Sequence, residues 1–267
     1  MRLLALASLP FLVSCWWRSD PAPATPILPE VVFLTPDTAR YRVVEHERTE
    51  QTVNGGPLAV GETRTTWLTA TLAAADSGLA AAWALDSVVA TGDREAAGPF
   101  APGIAFHGTM DRDGRVTGLD AGRADSLATA PITDLLGRFY PVMRGGARPG
   151  AAWEDTTEIL TGRGVLLRGR SVNRRSVSAW TTWAGVPALE IAVTSDYTLA
   201  GSGRISGQLD VAIEGTGRRH ARRYVDSRGR YLGGMAADTA DLEARVAGTG
   251  LVIPIRRMSA DTVEAGR

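Results

Sequence analysis

Lysine is missing from this chain of 267 residues, so all 29 of its basic side chains are arginine. That absence excludes a Schiff-base lysine and the phosphate-binding lysine of a P-loop. Cysteine occurs once, at Cys15, which excludes an internal disulfide and a zinc site built from cysteines. Histidine occurs three times, at His46, His107 and His220, too far apart in sequence for a His-Glu-x-x-His metal pair. No Gly-x-Ser-x-Gly elbow is present, since Gly201-Ser202-Gly203 falls short of one. No glycine-rich strand–loop–helix marks a nucleotide site, and no pair of carboxylates stands out as a glycosidase dyad. Asp111-Arg112-Asp113-Gly114 opens like a calcium loop, but Gly122 stands where a bidentate glutamate is required. The formal net charge is zero, which argues against a nucleic-acid partner. These absences leave no metal, no cofactor and no catalytic residue to name, and the chain reads as non-enzymatic.

Long apolar runs are also scarce. Leu3 to Val13 is a run of 11 residues, against the roughly 20 a membrane-crossing helix needs. It follows Met1-Arg2, the form of a secretory signal peptide. It ends in Leu12-Val13-Ser14-Cys15, which resembles the lipobox of bacterial lipoproteins. The resemblance implies a signal peptide over residues 1–14 and an acylated N-terminus at Cys15. Removal of Arg2 with that peptide leaves a net charge of −1. Trp16 and Trp17 suit the membrane–water interface. Position 16 is not Asp, so the same resemblance points to the periplasmic face of the outer membrane rather than inner-membrane retention. Residues 15–37 read as a lipidated N-terminus and tether, because residues 18–29 hold four prolines.

From residue 38 to 258 the dominant hydrophobic period is two, so a single β-rich domain is expected, with a polar tail over 259–267. The cleanest alternations are Leu189-Ile191-Val193-Ser195-Tyr197-Leu199 and Ile205-Gly207-Leu209-Val211-Ile213. Further strands are expected at 39–53, 62–74, 79–91, 103–110, 115–119, 152–160, 163–174, 176–184, 219–226, 229–236 and 249–257. Asn54-Gly55-Gly56, Asp76-Ser77-Gly78, Asp111–Gly114 and Asp226–Gly229 supply turn chemistry between them. The last two begin similar segments, a faint internal symmetry. Strands this long suit a large curved antiparallel sheet with one wet face.

One segment departs from period two. Ile132, Leu135, Leu136, Phe139 and Met143 fall on one helical stripe, with Pro131 placed to open the helix and Gly145-Gly146 to end it. A less certain helical segment at 121–129 precedes it. The stripe reads either as core packed on the sheet or as a lid (Ile132, Leu135, Leu136, Phe139) over an apolar cavity. The combination of lipobox, tether, long strands, mid-chain helix and Pro149-Gly150-x-x-Trp153-x-x-Thr156 resembles envelope lipoproteins of the LolA, LolB and LppX half-barrel type. That resemblance implies binding of a lipid or other hydrophobic ligand on the concave face, with docking to another envelope protein as the alternative and a hydrolase third. The candidate ligand or partner surface comprises Arg168, Arg170, Arg219, Arg223, Trp180 and Trp183. Arginine favours phosphates and anionic headgroups, and large aromatic rings favour interfaces. Strand alternation puts Arg219 and Arg223 on one face, Arg218 and Arg222 on the other, and Trp180 opposite Trp183.

Overall fold

A computed structural model describes residues 28–53, 55–76, 78–93, 103–122, 126–161, 165–205 and 209–266. The expected signal peptide, Cys15, Trp16 and Trp17 lie outside the described residues. The chain forms β1 (Asp37–Val53), β2 (Gly56–Ala75), β3 (Gly78–Gly92), β4 (Ala105–Met110) and β5 (Val116–Asp120). A helix, α1 (Ser126–Gly137), leads into β6 (Ala152–Thr161), β7 (Leu167–Trp183), β8 (Val186–Ile205), β9 (Leu209–Asp226), β10 (Tyr231–Val246) and β11 (Val252–Ala265). All eleven strands join one antiparallel sheet in the order β5-β4-β3-β2-β1-β11-β10-β9-β8-β7-β6. The first and last strands pair in its middle, and α1 lies between the two edge strands, against β5 and β6. This is the expected fold: a curled half-barrel whose concave face is partly covered by one short helix.

Hairpin loops at one end are built by the turn residues. Asp111 Oδ1 accepts hydrogen bonds from the backbone N–H of Asp113 and Arg115, and Asp226 Oδ1 does the same for Arg228 and Arg230. Gly114 and Gly229 supply the left-handed φ each loop needs. Gly229 does a second job: a Cβ there would lie 1.9 Å from the Phe33 carbonyl oxygen. Residues 31–35 lie against this end of the barrel. Val32 exchanges backbone hydrogen bonds with Ala147, and the Thr35 N–H donates to the Gly229 carbonyl. The expected tether is therefore fastened to the domain over its last residues.

Several expectations need correction. Pro131 does not open the helix; α1 begins at Ser126, so the proline sits inside it and costs one backbone hydrogen bond. Burial of Ile132, Leu135 and Leu136 holds that turn in place. The helix ends at Gly137, so Phe139 and Met143 lie beyond it, though both are fully buried. The alternation from Ile205 to Ile213 spans two strands, because Ile205 pairs with Leu209 across a reversal. The stretches 163–174 and 176–184 contribute to one strand, β7, broken by a bulge between Val177 and Trp180. Residues 259–265 are not a tail. They complete β11 at the centre of the sheet, where Asp261 and Val263 are buried. Polar character misleads there because Asp261 points inward to arginines (below 4 Å) instead of to water.

Candidate functional site: the concave face of the half-barrel

Strand register arranges the inward side chains into rows that cross the sheet. At the end that holds residues 31–35, the interior is apolar. Tyr41, Leu68, Trp83, Phe106, Leu135, Leu136, Phe139, Tyr140 and Tyr231 share one core cluster, in which Phe139 meets Tyr41 edge-on at 5.0 Å. The expected lid residues Ile132, Leu135, Leu136 and Phe139 are all in this cluster. At the opposite, open end a second apolar layer holds Val165, Leu167, Tyr197, Leu199 and Ala240, with Ile159, Ile213 and Leu242 against it.

Between the two layers runs a polar belt. One row reads Asp155, Asn173, Ser195, Arg219, Asp238, Ser259, Glu47 and Glu62 from β6 through to β2, each the direct cross-strand neighbour of the next. The adjacent inward row adds Arg175, Asp261, Glu45 and Arg64. Burying charge is costly unless every charge is paired, and here pairing is extensive. Arg219 donates to Asp261 at 2.6 Å and stands 3.9 Å from Asp238, while Arg223 reaches Asp261 at 3.3 Å. Arg64 binds Glu45 at 2.7 Å. Asn173 donates to Asp155 at 2.7 Å and accepts from Ser195 at 2.7 Å and Ser171 at 2.9 Å. Arg175 donates to Asp155 at 3.0 Å.

Two details show how local sequence builds this belt. Tyr197 on β8 lies across β9 so that its hydroxyl donates to Asp238 on β10. Gly217 makes the crossing possible, since a Cβ there would sit 2.2 Å from the ring. Burial and the neighbouring Asp238 carboxylate both hold the Tyr197 hydroxyl above its ordinary pKa, so it remains a donor. Asp134 on α1 and Arg138, the first residue beyond its end, lie four residues apart and pair at 2.5 Å beside the belt. Burial raises the Asp134 pKa despite attraction from Arg138 and Arg257. Burial also works against charge on Arg138, but Asp134, Asp261, Asp238 and Glu45 outweigh it and hold the guanidinium above its usual range.

A cleft of about 300 Å³ opens into this region. Its inner wall carries Glu45, Arg64, Asp134, Arg138, Asp238, Arg257 and Asp261; its outer part is lined by Val165, Leu167, Ile213, Leu242 and Ile255 together with Gln51 and Thr161. Among the described residues, no group of three or more His, Cys, Asp or Glu is placed to hold a metal ion. No described helix is long and apolar enough to cross a membrane. His46, His107 and His220 are exposed and lie on three different strands.

The six residues expected to form one ligand or partner surface do not come together. Arg219 and Arg223 are buried in the belt, whereas Arg168 and Arg170 are exposed on the outer face of β7. Trp180 packs on the interior cluster around Val177 and Leu189. Trp183 stacks on Tyr224 at 3.9 Å with nearly parallel rings. Sequence reasoning missed Glu45, Arg64, Asp134, Asp238 and Asp261. The available signal was a lone charge at an inward position of an alternating strand, such as Asp238 between Ala236 and Ala240.

No protein family and no curated protein matches this chain. Among solved structures, the beta domain of the Bordetella autotransporter Brka aligns with 85% of this chain and 100% of its own length, at 12% identity and a TM-score of 0.25. A likeness at that score carries no argument about fold or function.

Proposed function

We propose that this protein is a lipid-anchored component of the bacterial cell envelope, attached through Cys15 at the periplasmic face of the outer membrane, and that its half-barrel binds an amphiphile without transforming it. The observation that supports this reading is the two-sided cleft, charged toward α1 and predominantly aliphatic toward the open end, where Gln51 and Thr161 are interspersed. Ligand sites combine apolar walls with a few placed polar groups, and about 300 Å³ is at the small end of their range. The cleft therefore takes a headgroup and the adjoining part of a chain, not a whole two-chain lipid. Its carboxylates Glu45, Asp134 and Asp261 are held in ion pairs with arginine, which suits binding better than acid–base chemistry.

The test compares lipid extracted from the detergent-purified full chain with lipid from an Ile213→Asp variant purified identically. A bound species present in the wild type and reduced to background in the variant is the expected result. Equal lipid in both, or none in either, overturns the reading. Fatty-acid labelling that survives Cys15→Ser overturns the anchor. A second reading, docking to another envelope protein, draws on the aliphatic side chains exposed at the open end. It predicts crosslinks from that end in the intact envelope.

A further inference from the structure

The open end of the barrel carries Leu58, Leu160, Leu209, Leu251 and Val252, all exposed. They come from four separate hairpins: Leu58 follows the β1–β2 reversal, Leu209 the β8–β9 reversal, Leu251 and Val252 the β10–β11 reversal, and Leu160 precedes the β6–β7 connection. Scattered surface leucines need no explanation, but aliphatic side chains gathered at one rim do. Leu58 also begins an inward row that continues through Gln51, Ile255 and Leu242. The rim is thus continuous with the apolar wall of the cleft.

We infer that this rim is a membrane-contacting surface: it enters the interfacial layer of a phospholipid bilayer and sets the cleft mouth against it. The inference rests on the amphiphile reading of the cleft. Two observations favour a bilayer over a protein partner. The exposed rim side chains named above are all Leu or Val, whereas protein interfaces concentrate their energy in Trp, Tyr and Arg; a fluid acyl phase needs only apolar area. Basic groups also stand beside the rim. Arg168 is the direct cross-strand neighbour of Leu160, and Arg170, two residues further along β7, stands opposite Glu158. Neither forms an ion pair among the described residues. Unpaired guanidinium groups next to aliphatic tips match a layer of lipid phosphates over acyl chains.

The experiment uses the acylated full chain in phosphatidylethanolamine–phosphatidylglycerol vesicles. A cysteine is introduced by Leu209→Cys, or by Leu251→Cys in a second protein, and labelled with a polarity-sensitive fluorophore. Met235→Cys, exposed near the opposite end of the barrel at the start of β10, is the control. A nitroxide-lipid quencher is placed either in the anchoring vesicles or in separate acceptor vesicles. Quenching of both rim labels in at least one arrangement, with the control unaffected, is expected. Arg168→Gln with Arg170→Gln should weaken partitioning by about fivefold per arginine, roughly 1 kcal/mol each. Absence of quenching in both arrangements overturns the inference. So does a spectral shift that appears without vesicles and grows with protein concentration, which would mean that the rim pairs copies of the chain. Lipid co-purification is scored separately. Bound lipid without rim quenching sinks the rim contact and leaves the cleft reading standing. Rim quenching without bound lipid does the reverse.

Discussion

Gly217→Ala is the sharpest probe of how the belt is built. The new Cβ would stand 2.2 Å from Cζ of Tyr197, 2.3 Å from its hydroxyl and 2.6 Å from Cε2. None of these contacts is sterically tolerable, and the residue's φ is not left-handed, so backbone strain plays no part. The ring must move, and its hydrogen bond to Asp238 breaks. Overpacking costs about 1–3 kcal/mol. Losing a hydrogen bond to a charged group costs about 1.5–3 kcal/mol. Asp238 would keep Arg219 only at 3.9 Å. A combined loss of about 3–5 kcal/mol should lower the melting temperature by roughly 10 °C in a chain of this size. The assay is urea unfolding of the full chain, followed by tryptophan fluorescence, in a double-mutant cycle with Tyr197→Ala. Once the ring is gone the methyl group has nothing to strike, so Gly217→Ala should then be neutral within about 1 kcal/mol. An equal cost in both backgrounds, within about 0.5 kcal/mol, would refute the reasoning.

Asp261→Asn should cost about 3–5 kcal/mol in the same unfolding assay, because it leaves Arg219 and Arg223 charged and buried without their shared carboxylate. Asp134 should make stability pH-dependent in the opposite sense to a surface carboxylate. Its folded pKa is raised, so its contribution is fully present below the unfolded value near 3.9 and is lost as pH rises through the folded value. Asp134→Asn should therefore cost more at pH 4 than at pH 7, and an equal cost at both would show that burial does not perturb the group.

The fold was legible because period-two alternation survives burial of one face. Leu189 through Leu199 reads correctly from sequence since every second side chain enters the core. The belt was not legible for the same reason. Each strand contributes only one or two of its members, and Asp155, Asn173, Arg219 and Asp238 are spread across more than eighty residues of chain. Register alone aligns them. Arg219 illustrates the difficulty: flanked by Arg218, His220, Arg222 and Arg223, it looks like part of a solvated basic patch. Alternation sends Arg218 out to Asp196 at 2.7 Å and Arg219 in to Asp261. The helix boundary failed for a different reason. Proline at a first helical position is a strong preference, but tertiary packing of the stripe after Pro131 outweighs it.

A charged belt between two apolar layers is an unusual way to fill a half-barrel, because replacing buried ion pairs with packed aliphatic side chains is often neutral or stabilising. The belt holds its position by specificity: Asp261 alone serves two arginines from β9 while sitting on β11, and Tyr197 spans three strands. Sliding any of these strands by one residue would turn its belt members outward and break several bonds together. The same rigidity fixes the inner wall of the cleft. A polar group entering from the open end meets carboxylates and guanidinium groups already oriented by one another, so little ordering remains to oppose binding. The apolar layer at the open end then decides what reaches them. On the proposed amphiphile reading, a ligand with an aliphatic part would gain from Ile213, Leu242 and Ile255 on the way in, and that requirement would select amphiphiles over small polar solutes.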